Sequence, residues 1–208
     1  MPPGPPFPAG VHRLDLGGGA EALLAVPTDA PAPRPLLVFF HGAGGTAAQS
    51  LQLVGDLTDD RGVLLLATSS VASTWDLLVG DLGPDVAVLD AALEEVFVRA
   101  AVSRTGVAGF SDGASYALSL GLANGDLFDA VLAFSPGFVA PPGQWGRPRI
   151  WISHGTQDRV LPVERCGRRI ARELSAAGYD VKYEEFDGGH VVPPGLVTAA
   201  LDWWTGTT

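Results

Sequence analysis

The chain has one cysteine, Cys166, in 208 residues. An internal disulfide is therefore excluded, and no Cys/His spacing resembles a zinc site. Basic residues cluster nowhere except at Arg165, Arg168, Arg169 and Arg172, which read as one solvated helix face. With a net charge of −10, the chain lacks the basic field that binding to nucleic-acid phosphates requires, so no nucleic-acid partner is expected. The longest apolar runs, such as Leu36 to Phe40 and Val63 to Ala67, have strand length and fall far short of the ~18 to 20 residues of a membrane helix. Nor is there a basic stretch followed by an apolar one near Met1; the first residues are rich in proline instead. No secretory signal and no membrane span are expected, and a cytoplasmic location is the default expectation.

What is present is globular: 47% hydrophobic and 17% charged residues suit one sizeable core. Residues 1–10 are expected to form a Pro-rich N-terminal tail, and residues 11–208 a single domain. Val11 to Leu16 and Ala22 to Val26 read as a hairpin pair across Gly17-Gly18-Gly19. After them, short apolar runs alternate with longer periodic segments. The pattern predicts strands at Leu36 to Phe40, Val63 to Thr68, Thr105 to Gly109, Ala130 to Ser135, Arg149 to Ser153 and Val181 to Phe186. Helices are predicted at Thr46 to Leu57, Pro84 to Val98, Asp112 to Ala123, Val163 to Ala177 and Gly195 to Trp204. Runs apolar at every position suit parallel strands buried on both faces. The fold class predicted is therefore α/β, a mainly parallel twisted sheet with helices on both faces. Such a sheet places its ligand site at the carboxyl ends of its strands.

Gly109-Phe110-Ser111-Asp112-Gly113 stands at one such end and opens a helix. This is the G-x-S-x-G pattern in a strand-turn-helix context, where the two glycines are expected to let a tight turn hold Ser111 in a strained conformation. A serine hydroxyl needs a base within hydrogen-bond reach and a third group to orient that base. Of the four histidines, His190 lies in a glycine-rich loop just past the last predicted strand. His12 reads as a surface residue on the hairpin; His41 and His154, each before a glycine where a strand ends, read as polar residues shaping turns. Asp158, in the loop after the penultimate sheet strand, is the candidate acid, with a loop-capping carboxylate as the plainer reading. The order Ser111, Asp158, His190 differs from the chymotrypsin and subtilisin orders.

Acyl transfer also needs backbone N–H groups where negative charge develops. The candidates for this oxyanion hole are Asp112, directly after the serine, and Ala43 in His41-Gly42-Ala43-Gly44-Gly45-Thr46, with Gly44 as the alternative. That glycine-rich loop lacks the lysine and spacing of a phosphate-binding loop.

From about Leu36 to Trp204 the sequence resembles the α/β-hydrolase superfamily, and within it the phospholipase/carboxylesterase family that includes acyl-protein thioesterases. The resemblance is carried by His41-Gly-Ala-Gly-Gly, Gly109-Phe-Ser-Asp-Gly, His154-Gly-Thr-Gln-Asp-Arg-Val-Leu-Pro and Gly189-His190. It departs from the thioesterase pattern at Asp112, where that pattern has Gln, and at Gly45, where it has Asp. The resemblance implies a cofactor-independent serine esterase acting on carboxylic ester or thioester bonds of a small-molecule substrate, with Ser111, Asp158 and His190 as the triad. It also suggests Trp75 as a wall of the acyl pocket, against the alternative of a core aromatic under a loop. Phe138 and Val191, near the top edge of the sheet, are further substrate-binding candidates.

The segment from Pro136 to Pro148, where many such hydrolases carry a helical cap, is short and rich in Pro and Gly. No large cap is expected, and with it an open site suited to short or medium acyl chains. The same triad would also serve a peptidase or amidase, and a non-catalytic binding protein on this fold is the alternative from another class.

Overall fold

The computed structural model describes residues 5–17, 20–79 and 83–206. Its elements in chain order are β1 (Gly10–Arg13), β2 (Ala22–Val26), β3 (Arg34–Phe40), α1 (Ala47–Asp59), β4 (Leu64–Thr68), α2 (Asp76–Val79) and α3 (Pro84–Arg99). Then follow β5 (Val102–Phe110), α4 (Asp112–Ala123), β6 (Ala130–Phe134), β7 (Arg149–Gly155), α5 (Gly167–Ala176), β8 (Val181–Phe186) and α6 (Pro194–Thr205). The strands form one eight-stranded sheet in the order β1-β2-β4-β3-β5-β6-β7-β8. β1 and β2 are antiparallel, β2 is antiparallel to β4, and every later pairing is parallel.

The uninterrupted apolar runs are explained by this arrangement. Successive residues of a strand face opposite sides, and in β3 Leu36, Val38 and Phe40 join the core beneath α3, α4 and α5 while Leu37 and Phe39 join the one beneath α1 and α6. Both faces are covered, so every position of the run is apolar. Gly106 and Gly121 lie where a Cβ would crowd Trp204 and Val131 respectively, which shows how closely helix and sheet are packed.

The structure corrects several boundaries. Within the stretch expected as a tail, Phe7 packs against the core, Arg99 stacks 3.6 Å above its ring, and Arg99 Nε donates to the Pro5 carbonyl at 2.8 Å; residues 1–4 lie outside the described residues. Of the expected turn Gly17-Gly18-Gly19, Gly18 and Gly19 lie outside the described residues. The helix predicted from Val163 begins at Gly167 instead, because Pro162 to Cys166 form a turn that closes on the Pro162 carbonyl. The short helix α2 was not predicted.

From Pro136 to Pro148 the chain is irregular, without helix. Two serines of α4 hold it down: Ser115 Oγ accepts the N–H of Gly137 at 2.9 Å, and Ser119 Oγ that of Ala140 at 3.0 Å. Among the described residues no helix is long and apolar enough to cross a membrane.

Candidate active site

Ser111 sits between β5 and α4 with φ 57° and ψ −119°, a conformation disfavoured for a residue with a Cβ. It is held there by its own N–H, which donates to the Phe134 carbonyl of β6 at 2.9 Å. The strain is at the serine itself, as expected, and the flanking glycines have no positive φ. They allow close approach instead. A Cβ on Gly109 would overlap the backbone of Gly113, and one on Gly113 would overlap the carbonyls of Phe40 and His41.

The same logic places the other two groups. Asp158 follows β7, and His190 follows β8 after Gly188 and Gly189. A Cβ on Gly155 would overlap the carbonyls of both those glycines, so the two loops touch backbone to backbone. Thr156 N–H and Gln157 N–H complete the junction by donating to Phe186 and Gly188, each at 2.9 Å.

The three side chains meet. His190 Nδ1 donates to Asp158 Oδ2 at 2.6 Å, and His190 Nε2 lies 2.9 Å from Ser111 Oγ, positioned to accept its proton. The imidazole packs 4.8 Å from the Phe110 ring. Asp158 Oδ1 accepts the N–H groups of Val160 and Leu161 at 2.9 and 2.8 Å. Burial disfavours the Asp158 anion, but the hydrogen bond from His190 and those from Leu161 and Val160 outweigh it and hold the carboxyl below its ordinary pKa.

Beside Ser111, the N–H groups of Ala43 and Asp112 have no acceptor among the described residues. Gly44 does not share this property: its N–H donates to the Ser73 carbonyl at 2.7 Å, which removes it as the alternative donor. Of the pocket candidates, Val191 is exposed and Phe138 half-buried. Trp75 is 1% exposed; it stacks on Tyr116 at 4.9 Å, and its Nε1 donates to the His41 carbonyl at 2.9 Å. The structure thus makes Trp75 a core aromatic rather than a pocket wall.

The remaining histidines each have a place. His12 Nε2 bonds the Pro8 carbonyl at 2.7 Å. His41 is buried, donating from Nδ1 to the Gly42 carbonyl at 2.7 Å and accepting at Nε2 from Ser70 N–H at 3.0 Å. His154 is wholly buried; its Nε2 donates to the Leu161 carbonyl at 2.7 Å and lies 3.2 Å from Asp158 Oδ2, while its Nδ1 has no partner. Burial lowers the pKa of both rings and keeps them neutral. Cys166 lies close enough to Asp158 to feel its charge. Burial pushes the thiol pKa up, and Asp158 adds to that shift.

Sequence reading missed the contact of His154 with Asp158 and the part played by Ser70 to Trp75. For the first, the i, i+4 spacing at a strand end was a usable signal; for the second there was none, since its partners are remote in sequence. Among the described residues no three His, Cys, Asp or Glu side chains converge as metal ligands would.

No protein-family model matches the chain. It is 31% identical over 171 residues to the putative esterase NocK of Nocardia uniformis subsp. tsuyamanensis; the match covers 74% of this chain and 46% of NocK, so the chain spans about half the length of that relative. Among solved structures it is similar to esterase PE8, with a TM-score of 0.71 at 22% identity over 97% of this chain and 100% of that one. It is likewise similar to the Bacillus cereus carboxylesterase, with a TM-score of 0.70 at 18% identity over 93% of this chain and 97% of the other. These likenesses show the fold: the chain has the α/β-hydrolase fold.

Proposed function

We propose that the protein is a serine esterase that cleaves carboxylic esters through an acyl-enzyme. The observation that carries this reading is the unbroken line of hydrogen bonds from Asp158 through His190 to Ser111, beside two N–H groups with no described acceptor. In this reading His190 Nε2 takes the Ser111 proton as Oγ attacks the acyl carbon, and the anionic carbonyl oxygen is met by the N–H groups of Ala43 and Asp112. Asp158 holds the imidazole by Nδ1 and balances the cation that forms. Collapse of the tetrahedral intermediate returns the proton to the departing alkoxide. Water, activated by the same imidazole, then releases the acid and restores Ser111.

The similarity to NocK supports the ester as substrate class. The latched 136–148 segment supports short to medium acyl chains, because it offers little surface to bury a long one, at ~25 cal/mol per Å² of apolar area. Thioesters fall within the same chemistry.

The test is labelling by a fluorophosphonate probe together with hydrolysis of p-nitrophenyl butyrate. The wild type should take up one probe and turn over the ester, and Ser111→Ala should do neither while keeping its fold. Hydrolysis retained in folded Ser111→Ala would overturn the assignment, and a wild type inert to both reagents would leave the non-catalytic alternative.

A further inference from the structure

The two N–H groups of the candidate oxyanion hole come from separate parts of the chain, the loop after β3 and the first turn of α4. Their spacing must be fixed to a fraction of an ångström for both to meet one oxygen. One segment grips both parts. On the first side, Ser70 N–H donates to His41 Nε2 at 3.0 Å, Trp75 Nε1 donates to the His41 carbonyl at 2.9 Å, and the Ser73 carbonyl accepts from Gly44 N–H at 2.7 Å. On the second side, Thr74 Oγ1 donates to Asp112 Oδ2 at 2.8 Å.

The segment has a firm footing of its own. Asp85, buried, accepts the N–H groups of Val71 and Asp76, each at 2.7 Å, so it ties both ends of the strap to α3. Asp76 in return accepts the N–H groups of Gly83 and Asp85, each at 3.0 Å. The strap is thus anchored from behind and holds the hole from in front.

Asp112 makes the Thr74 contact more than a brace. It places a carboxylate on the very residue whose N–H faces the anion that forms, and a free carboxylate there would oppose that charge. The Thr74 hydroxyl occupies Oδ2 and fixes where the carboxylate lies. Resting on the esterase reading above, we infer that Ser70 to Trp75 is the positioning strap of the oxyanion hole and that Thr74 is a positioning residue, acting through Asp112 to keep its N–H aimed and its carboxylate held in place.

The experiment is a double-mutant cycle on p-nitrophenyl butyrate hydrolysis with Thr74→Val and Asp112→Ala. A hydrogen bond to a charged group, lost only where the transition state needs it, corresponds to a fall in kcat of about tenfold. Thr74→Val should show that fall with KM and melting temperature retained, and Thr74→Ser should keep wild-type kcat. Asp112→Ala breaks the same tie from the other end, which covers the case in which Thr74→Val fails to fold. Adding Thr74→Val to Asp112→Ala should cost less than a further twofold, because the partner is already gone. Wild-type kcat in folded Thr74→Val overturns the inference, as does the same tenfold loss in both backgrounds. Either result would stand beside an active wild type and leave the esterase reading intact; a wild type that neither hydrolyses the ester nor takes a fluorophosphonate fails that reading, and the strap with it.

Discussion

His154 and His190 share one carboxylate oxygen: Asp158 Oδ2 lies 2.6 Å from Nδ1 of His190 and 3.2 Å from Nε2 of His154. One ring faces the candidate nucleophile, and the other is wholly buried. A second cation at the buried position would compete for the charge that His190 needs when it is protonated, and burial prevents it by keeping His154 neutral.

That neutrality gives stability a pH dependence. In the fold, His41 and His154 are held neutral, whereas in the unfolded chain such rings protonate near the ordinary value of 6.5. Below that pH the unfolded state binds more protons, so stability falls as pH falls. Asp158, depressed in the fold, adds a loss of the same sign nearer its ordinary 3.8; Asp85, raised by burial, takes its proton earlier in the fold and works the opposite way. Thermal unfolding should show a melting temperature steady above about pH 7 and falling from there toward pH 5. A melting temperature unchanged across that span contradicts the assignment.

Asp158→Asn should lower kcat by about 10³- to 10⁴-fold, because an amide can neither hold the required tautomer nor balance the imidazolium. Asp180→Asn serves as the comparison: Asp180 is exposed and pairs with Arg149 at 3.2 Å on the far end of β8, so its loss should leave kcat unchanged. Equal tolerance of both substitutions would remove Asp158 from the mechanism.

Gly113→Ala should destabilise the protein and abolish ester hydrolysis together, since the new methyl group meets the carbonyls of Phe40 and His41 with no room to move. Gly195→Ala adds a Cβ that meets nothing within 4 Å at the start of α6. It should be neutral or stabilise by up to about 1 kcal/mol. Melting temperatures of the two variants measured side by side decide the matter, and a Gly113→Ala protein as stable as wild type would show the close approach to be dispensable.

Butyrate, octanoate and palmitate esters should be hydrolysed with falling efficiency, and no jump in rate should occur as substrate passes its solubility limit. The loop that Ser115 and Ser119 tie to α4 has no helix to swing aside at an interface. Rates followed across the solubility limit provide the test; a sharp rise on aggregation with palmitate preferred would mean that a long-chain site opens.

The parallel sheet was legible because burial on both faces leaves an unmistakable mark, the unbroken apolar runs of β3 and β4. The turn that carries Ser111 was legible because close backbone contact admits only glycine at positions 109 and 113. Trp75 was ambiguous in sequence, since a large aromatic after a strand suits a pocket and a core equally; only its stack on Tyr116 decides. The start of α5 was misjudged because Val163 to Cys166 continue the apolar spacing although the chain there turns on the Pro162 carbonyl. The strap could not be read at all: its bonds join Gly44 to Ser73 and Thr74 to Asp112, and nothing local in sequence records such pairs.

His190 follows β8, the strand at the far edge of the sheet, and its loop rests on the backbone of Gly155 at the end of β7. On the esterase reading proposed above, a chain that has formed the centre of the sheet but has not yet added this last strand holds its serine without a base. Reactivity toward a fluorophosphonate therefore reports the final docking step, and sampled during refolding it would act as a clock for closure of that edge, separate from the earlier collapse of the core that tryptophan fluorescence follows.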